Sequence, residues 1–384
     1  MGNMSSMTLA SGFEPDGAIA AAAAIAVGSS LKLKKGETVL IVTNPAREVI
    51  EIAAAMYDAA AAVGAKPVLV AQGVKTQTDY AEEAVIAAFE SKPDVFVSLS
   101  AEKLGKDREG IRTPYEWDGV RYDHIFHYQL NGAKTMRAFW SPGLTRAMFA
   151  KTVPIDYAAL KARCRAVSAA LSGGLYVRVT NPGGTDIRVG IKGRAPKADD
   201  GDFSSPGSGG NLPAGEVFVS PELGASEGII AFDGSIAAVK GDILIREPIR
   251  CRVEGGFVVG IEGGEEAAAL EAAIASGEEA AEVLGREGSG PRGALPQDKV
   301  GHYLRNARNL GELGIGLNPS AEIVGNILED EKAFHSCHFA IGSNYDEDAP
   351  ALIHLDGLVS KPTIVVTKAN GKEVVIERDG ELLV

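Results

Sequence analysis

The chain has 384 residues, 45% of them hydrophobic and 23% charged, with a formal net charge of −13. That length suits two domains with ordinary cores, and the acidic balance excludes the surplus of Lys and Arg that a nucleic-acid surface needs. Three cysteines, Cys164, Cys251 and Cys337, are too few and too scattered for a disulfide framework or a structural zinc ribbon, which points to a reducing cytoplasm.

The first element is an Ala-rich apolar run, residues 17–27. Glu14 and Asp16 precede it and no Lys or Arg does, so the positive segment of a signal peptide is missing. The run is also too short to span a membrane, and a helix packed on the domain is expected. Residues 38–42, a β-branched run, read as a buried parallel strand, and 46–63 as a helix closed by Gly64. Residues 67–70 form the next strand, which completes a βαβ unit. A helix over 81–90 and a strand over 94–99 extend it into an open, Rossmann-like α/β sheet. The turn Thr43-Asn44-Pro45-Ala46-Arg47 carries no Gly-x-Gly-x-x-Gly, so a dinucleotide cofactor is not expected. Residues 110–165 are expected to close this N-terminal α/β domain (1–165) in helices.

Beyond 165 the period changes from helical to alternating. Residues 175–180 and 186–191 flank Asn181-Pro182-Gly183-Gly184 and read as a hairpin. A Gly/Ser/Pro loop over 201–210, further strands to 260 and an Ala/Glu-rich helix over 262–287 follow. The second domain, 166–384, is therefore expected to be strand-rich and of α+β class.

The chemistry concentrates near the end of this domain. Three of the six histidines, His335, His338 and His354, lie close to Asp356. His354 and Asp356 are two apart in an expected strand and so project from one face, suited to holding a metal. In residues 334–342, His338 shares a face with Ser336 while His335 shares the other with Cys337, so one histidine of this pair can join His354. Cys337 reads as a buried thiol rather than a nucleophile, because the adjacent His338 projects from the opposite face of the strand. Glu216, after Pro213 and Gly215, stands at a strand start, either in a cleft or at an exposed edge. Glu312 lies among glycines and apolar residues, where a buried carboxylate needs a cation: a metal, or Arg305 or Arg308. His124, His127 and Arg146 are candidates for an entrance lining, with ordinary surface or interdomain roles as the plainer reading.

Five segments, Leu33 to Leu40, Leu212 to Phe218, Gly311 to Gly316, His338 to Tyr345 and Ile353 to Asp356, together resemble the M29 metallo-aminopeptidases, the thermophilic aminopeptidase T group. The resemblance implies an N-terminal α/β domain with a strand-rich catalytic domain. It implies a two-metal site (zinc, cobalt or manganese) held by Glu216, Glu312, His338, His354 and Asp356. Glu312 would take a proton and Tyr345 would steady the tetrahedral intermediate during removal of N-terminal residues from peptides. A homodimer acting on a peptide or small-molecule substrate, with no nucleic-acid or membrane partner, is implied as well. Two departures stand out: Gly215 replaces an acidic residue found in many members, and 183–210 is short and glycine-rich. A sister branch of the fold opens hydroxylated pyridine rings with one ferrous ion on two histidines and an aspartate, a set that His354 and Asp356 also suit. Retention of both Glu216 and Glu312 favours the peptidase. A third reading is a binding protein that keeps only a structural metal.

Overall fold

A computed structural model describes residues 16–384 except 77–78, 240, 288–296 and 347. The chain divides into two compact units, one up to Tyr157 joined by Gly201–Ala214, the other Ala158–Asp200 with Gly215–Val384. The sequence places the division at 165. In the structure the helix Tyr157–Leu171 opens the second unit instead, and a later segment returns to the first.

The first unit is built on a five-stranded, all-parallel sheet in the order Gly209–Asn211, Arg137–Pro142, Val95–Ser100, Thr38–Thr43, Lys66–Ala71. Its central strands are continuous apolar runs because helices cover parallel sheets; Val95–Ser100 is buried at every position. The helix Arg47–Ala62 turns Val49, Ile52, Ala53 and Met56 inward. The N-terminal helix, Gly17–Ile25, is capped by Asp16, whose carboxylate accepts from the Ala18 and Ile19 amides.

Two features of 110–165 correct the all-helical expectation. A small hairpin pairs Tyr115–Trp117 with Val120–Tyr122, and Arg137–Pro142 is a fourth parallel strand. Its leading arginine hides the strand in the sequence. The Arg137 guanidinium is buried and grips Glu37 with two hydrogen bonds of 3.1 and 2.7 Å, while Nε donates to the Leu31 carbonyl. The loop expected over 201–210 likewise ends in a strand, Gly209–Asn211. Within this unit, His124 Nδ1 accepts from the Phe126 amide, the His127 ring packs on Phe126, and Arg146 pairs with Asp16.

The second unit holds two sheets. One has seven strands, in the order Ile243–Leu244, Ser235–Ile236, His354–Ser360, Ser336–Gly342, Leu310–Gly316, Glu216–Val219, Lys197–Asp199. The other has eight and contains the expected hairpin, Gly174–Thr180 against Asp186–Gly190. The Ala/Glu-rich segment forms the helix Glu265–Glu287. No described helix is long and apolar enough to cross a membrane.

Glu377, in the strand Glu373–Arg378, is fully buried and neither carboxyl oxygen makes a hydrogen bond. Burial, with the Glu381 charge behind it, pushes its pKa up from 4.5 to about 9. The folded chain therefore keeps this group neutral at pH values where the unfolded chain ionises it. The stability this contributes is fully present below the unfolded pKa and drains away as pH rises toward the folded one, by at most about 1.4 kcal/mol per pH unit. Glu377→Gln is expected to flatten the decline of melting temperature between pH 5 and 9. Parallel wild-type and variant curves would refute this.

Candidate metal centre

Strand register explains how residues 140 positions apart in the chain come to face one another. Glu216 pairs with Gly316, Phe218 with Gly314, Gly314 with His338, and Glu312 with Ala340. Ala340 in turn pairs with Asp356, and Gly342 with His354. Since alternate residues of a strand share a face, Glu216, Phe218, Glu312, His338, His354 and Asp356 all project from one side of four adjacent strands. Gly314, Gly316, Ala340 and Gly342 lie between them on that side. These small residues form a low floor over which the longer donors converge. At Gly314 a Cβ would land on the His338 ring, so this glycine makes the space the imidazole fills.

The donors meet closely. His338 Nε2 lies 3.1 Å from Glu312 Oε1 and 3.4 Å from Glu216 Oε2. His354 Nε2 lies 3.5 Å from Glu312 Oε2 and 3.4 Å from Asp356 Oδ1. His354 Nδ1 donates to the Ser343 carbonyl at 2.8 Å, which fixes the ring and turns Nε2 toward the carboxylates, as in many metal-ligating histidines. Arg308 pairs with Glu271 and Glu278, and Arg305 stacks on Phe257, which leaves Glu312 to the two imidazoles. His335 precedes the strand and its Nδ1 meets the Gly380 carbonyl, so His338 is the histidine of the pair that reaches the site. Cys337 is fully buried on the opposite face. Burial, then the Glu377 and Asp233 charges, holds its thiol well above the ordinary range.

Two side chains that the sequence reading missed complete the arrangement. Lys332 is fully buried, with Nζ 2.6 Å from Glu216 Oε1, 2.7 Å from Glu331 Oε1 and 3.8 Å from Asp199 Oδ2. In the sequence they belong to Glu329-Asp330-Glu331-Lys332, a charged run that reads as a solvated turn. The donors form two compact groups that share His338: Glu312, His338 and Asp356, and Glu216, Glu331 and His338.

Electrostatics follow from this crowding. Burial opposes charge on Glu312, but the hydrogen bond to His338 and the nearby His354 imidazole outweigh it and bring the pKa down to about 2. Burial also opposes charge on His338, yet Glu312 and Glu216 raise its pKa to about 9; His354 is raised by Asp356 and Glu312 in the same way. Glu331 goes the other direction, to about 8, because desolvation exceeds the help from Lys332. Despite all these partners, Glu216 Oε2, Glu312 Oε2 and Asp356 Oδ1 make no hydrogen bond. Buried carboxylate oxygens of that kind are costly unless a cation takes them, so the residues present fit a divalent metal ion.

Tyr345 flanks this centre. Its ring packs against Phe218 at 5.0 Å and His354 at 5.2 Å between centroids, with 53% of its surface exposed. Desolvation, then the Glu312 and Asp356 charges, keeps its phenol protonated well above the ordinary range.

Fold and site together define a two-unit α/β chain with a buried carboxylate–imidazole cluster able to hold a metal ion. The family model of 2,5-dihydroxypyridine 5,6-dioxygenase (NicX) matches residues 128–290, a span that includes Glu216 and ends before Glu312. The structure is similar to 2,5-dihydroxypyridine dioxygenase from Pseudomonas putida KT2440, with a TM-score of 0.66, 17% identity, and 96% of this chain and 98% of that one covered. It is also similar to wild-type AmpT from Thermus thermophilus, an M29 aminopeptidase, with a TM-score of 0.58, 19% identity and coverage of 96% and 99%. At these identities the likeness establishes an M29-like fold, which both enzymes share. It does not single out the peptidase to which the sequence motifs point. No curated protein sequence matches the chain.

Proposed function

We propose that this chain is a metal-dependent enzyme that opens hydroxylated nitrogen-containing aromatic rings with dioxygen, using one ferrous ion. The observation that carries this reading is the compact donor group Glu312, His338 and Asp356, with His354 Nε2 3.4 to 3.5 Å from the unpaired Asp356 and Glu312 oxygens, beside the Tyr345 and Phe218 rings. Two imidazoles and a carboxylate are the donor set of many non-haem ferrous oxygenases. The dioxygenase family-model match and the likeness to the Pseudomonas putida enzyme support the same direction.

His338, His354, Asp356 and Glu312 would hold the ion, which supplies the redox chemistry that couples dioxygen to an electron-rich ring. The chain's own residues do the rest. Tyr345 and Phe218 offer aromatic faces against which a flat ring can pack. The Tyr345 phenol, kept protonated, donates a hydrogen bond to a ring hydroxylate or a developing carboxylate. The Ser343 carbonyl fixes the His354 ring, so that Nε2 is oriented before any ligand arrives.

A second reading, the two-metal aminopeptidase, is favoured by one observation: Glu216, Glu331 and His338 make a second donor group beside the first. In that case zinc, cobalt or manganese would fill both groups, Tyr345 would steady a tetrahedral oxyanion, and Glu312 would take a proton.

Metal analysis separates the two. Protein purified anaerobically and reloaded with ferrous iron is expected to hold one ion per chain and to consume oxygen with 2,5-dihydroxypyridine. Two ions per chain, lost together in Glu216→Ala, with hydrolysis of aminoacyl amides, would replace this reading with the peptidase.

A further inference from the structure

We propose that Lys332 sets the number of metal ions this site can hold: its ammonium stands where a second cation would otherwise balance Glu216 and Glu331. The inference rests on the one-ion reading above and gives it a cause within the chain.

Lys332 is the rare case of a fully buried lysine whose charge is favoured. Burial opposes the ammonium, but the Glu216 and Glu331 carboxylates lie within 2.7 Å of it and Asp199 within 3.8 Å. A lysine almost never goes fully inside without such partners. Its geometry is that of a bridge. Glu216 gives Oε1 to Lys332 at 2.6 Å and turns Oε2 toward His338 at 3.4 Å. In a two-metal site one carboxylate commonly spans two cations; here Glu216 spans an ammonium and the corner of the first donor group. Glu331 Oε1 is held by the same ammonium at 2.7 Å. A divalent ion entering the second group would have to share these oxygens and sit beside a fixed positive charge. An ammonium offsets charge as a second ion would, but it offers no empty orbital to polarise a carbonyl or activate water. The lysine thus fills the electrostatic role of a second ion without its Lewis-acid chemistry. Arg308 and Arg194 do not reproduce the effect, because both are committed to other carboxylates.

The test counts ions rather than turnover. Metal-stripped full-length wild type, Lys332→Met and Lys332→Arg are titrated with zinc and with manganese, and bound metal per chain and melting temperature are measured. The expected result is one ion for wild type and Lys332→Arg, and two for Lys332→Met, with a melting temperature more dependent on metal in Lys332→Met. Wild type binding two ions would overturn the one-ion reading and this proposal together. One ion in both wild type and a normally folded Lys332→Met would overturn this proposal alone. If Lys332→Met melts early without metal, recovery of wild-type stability on binding a second ion supports the role. Failure to recover at saturating zinc, with Lys332→Arg normal, would reduce Lys332 to a structural ion pair and sink the proposal.

Discussion

Gly314→Ala is expected to abolish tight metal binding while leaving most of the chain folded. Gly314 sits directly across from His338 in the register of neighbouring strands, and an added Cβ would fall on the imidazole ring itself. The strand cannot withdraw easily, because Leu310–Gly316 is paired on both sides, to Glu216–Val219 and to Ser336–Gly342. The histidine must therefore swing away from Glu312 and Glu216, and the centre loses a donor. Overpacking of this sort costs about 1–3 kcal/mol of stability. Disturbing a partner that only orients a ligand already costs 10–100-fold in affinity, so displacing a ligand is expected to weaken binding by at least ~100-fold. Calorimetric titration with zinc would check it, and wild-type affinity would show that His338 is not a ligand.

The largest effect on stability is expected in the first unit, from Glu37→Ala. Its partner Arg137 is buried, with a side chain only 4% exposed, and has few other routes to satisfy its charge. Removing one member of a buried pair strands the other, at a typical cost of about 3–5 kcal/mol. Replacing both, as Glu37→Leu with Arg137→Met, removes the stranded charge as well and is expected to recover most of that loss. Urea unfolding of the single and double variants measures both numbers. A single variant that loses less than about 1 kcal/mol would place the guanidinium in contact with water.

How much of this was legible in the sequence depended on the kind of signal. The strands Thr38–Thr43 and Val95–Ser100 and the helix between them are continuous or periodic apolar runs, which local patterning reveals. Arg137–Pro142 escaped because a buried charge at its start breaks the pattern, and its partner Glu37 lies 100 residues away. Face parity correctly separated His338 from His335 and placed His354 beside Asp356. The choice between metal and arginine for Glu312 could not be made locally, because it turned on where Arg305 and Arg308 find other partners. Lys332 and Glu331 were hidden for a related reason: a short acidic and basic run looks the same whether it meets water or lies under a sheet face. Gly215 has a simpler account. Its φ of +132° and the approach of Asn318 Cβ leave no easy room for the acidic side chain that many relatives of the resembled family carry.

The strand Gly209–Asn211 completes the first unit's sheet only after the chain has already entered the second. On a ribosome, the parallel sheet would wait with Arg137–Pro142 as an open edge until residue 211 had been released. A polypeptide cut near 165 would keep that edge permanently bare, a template for sticking to other chains. Synthesis and quality control therefore meet the two units as one folding problem, although each has a core of its own.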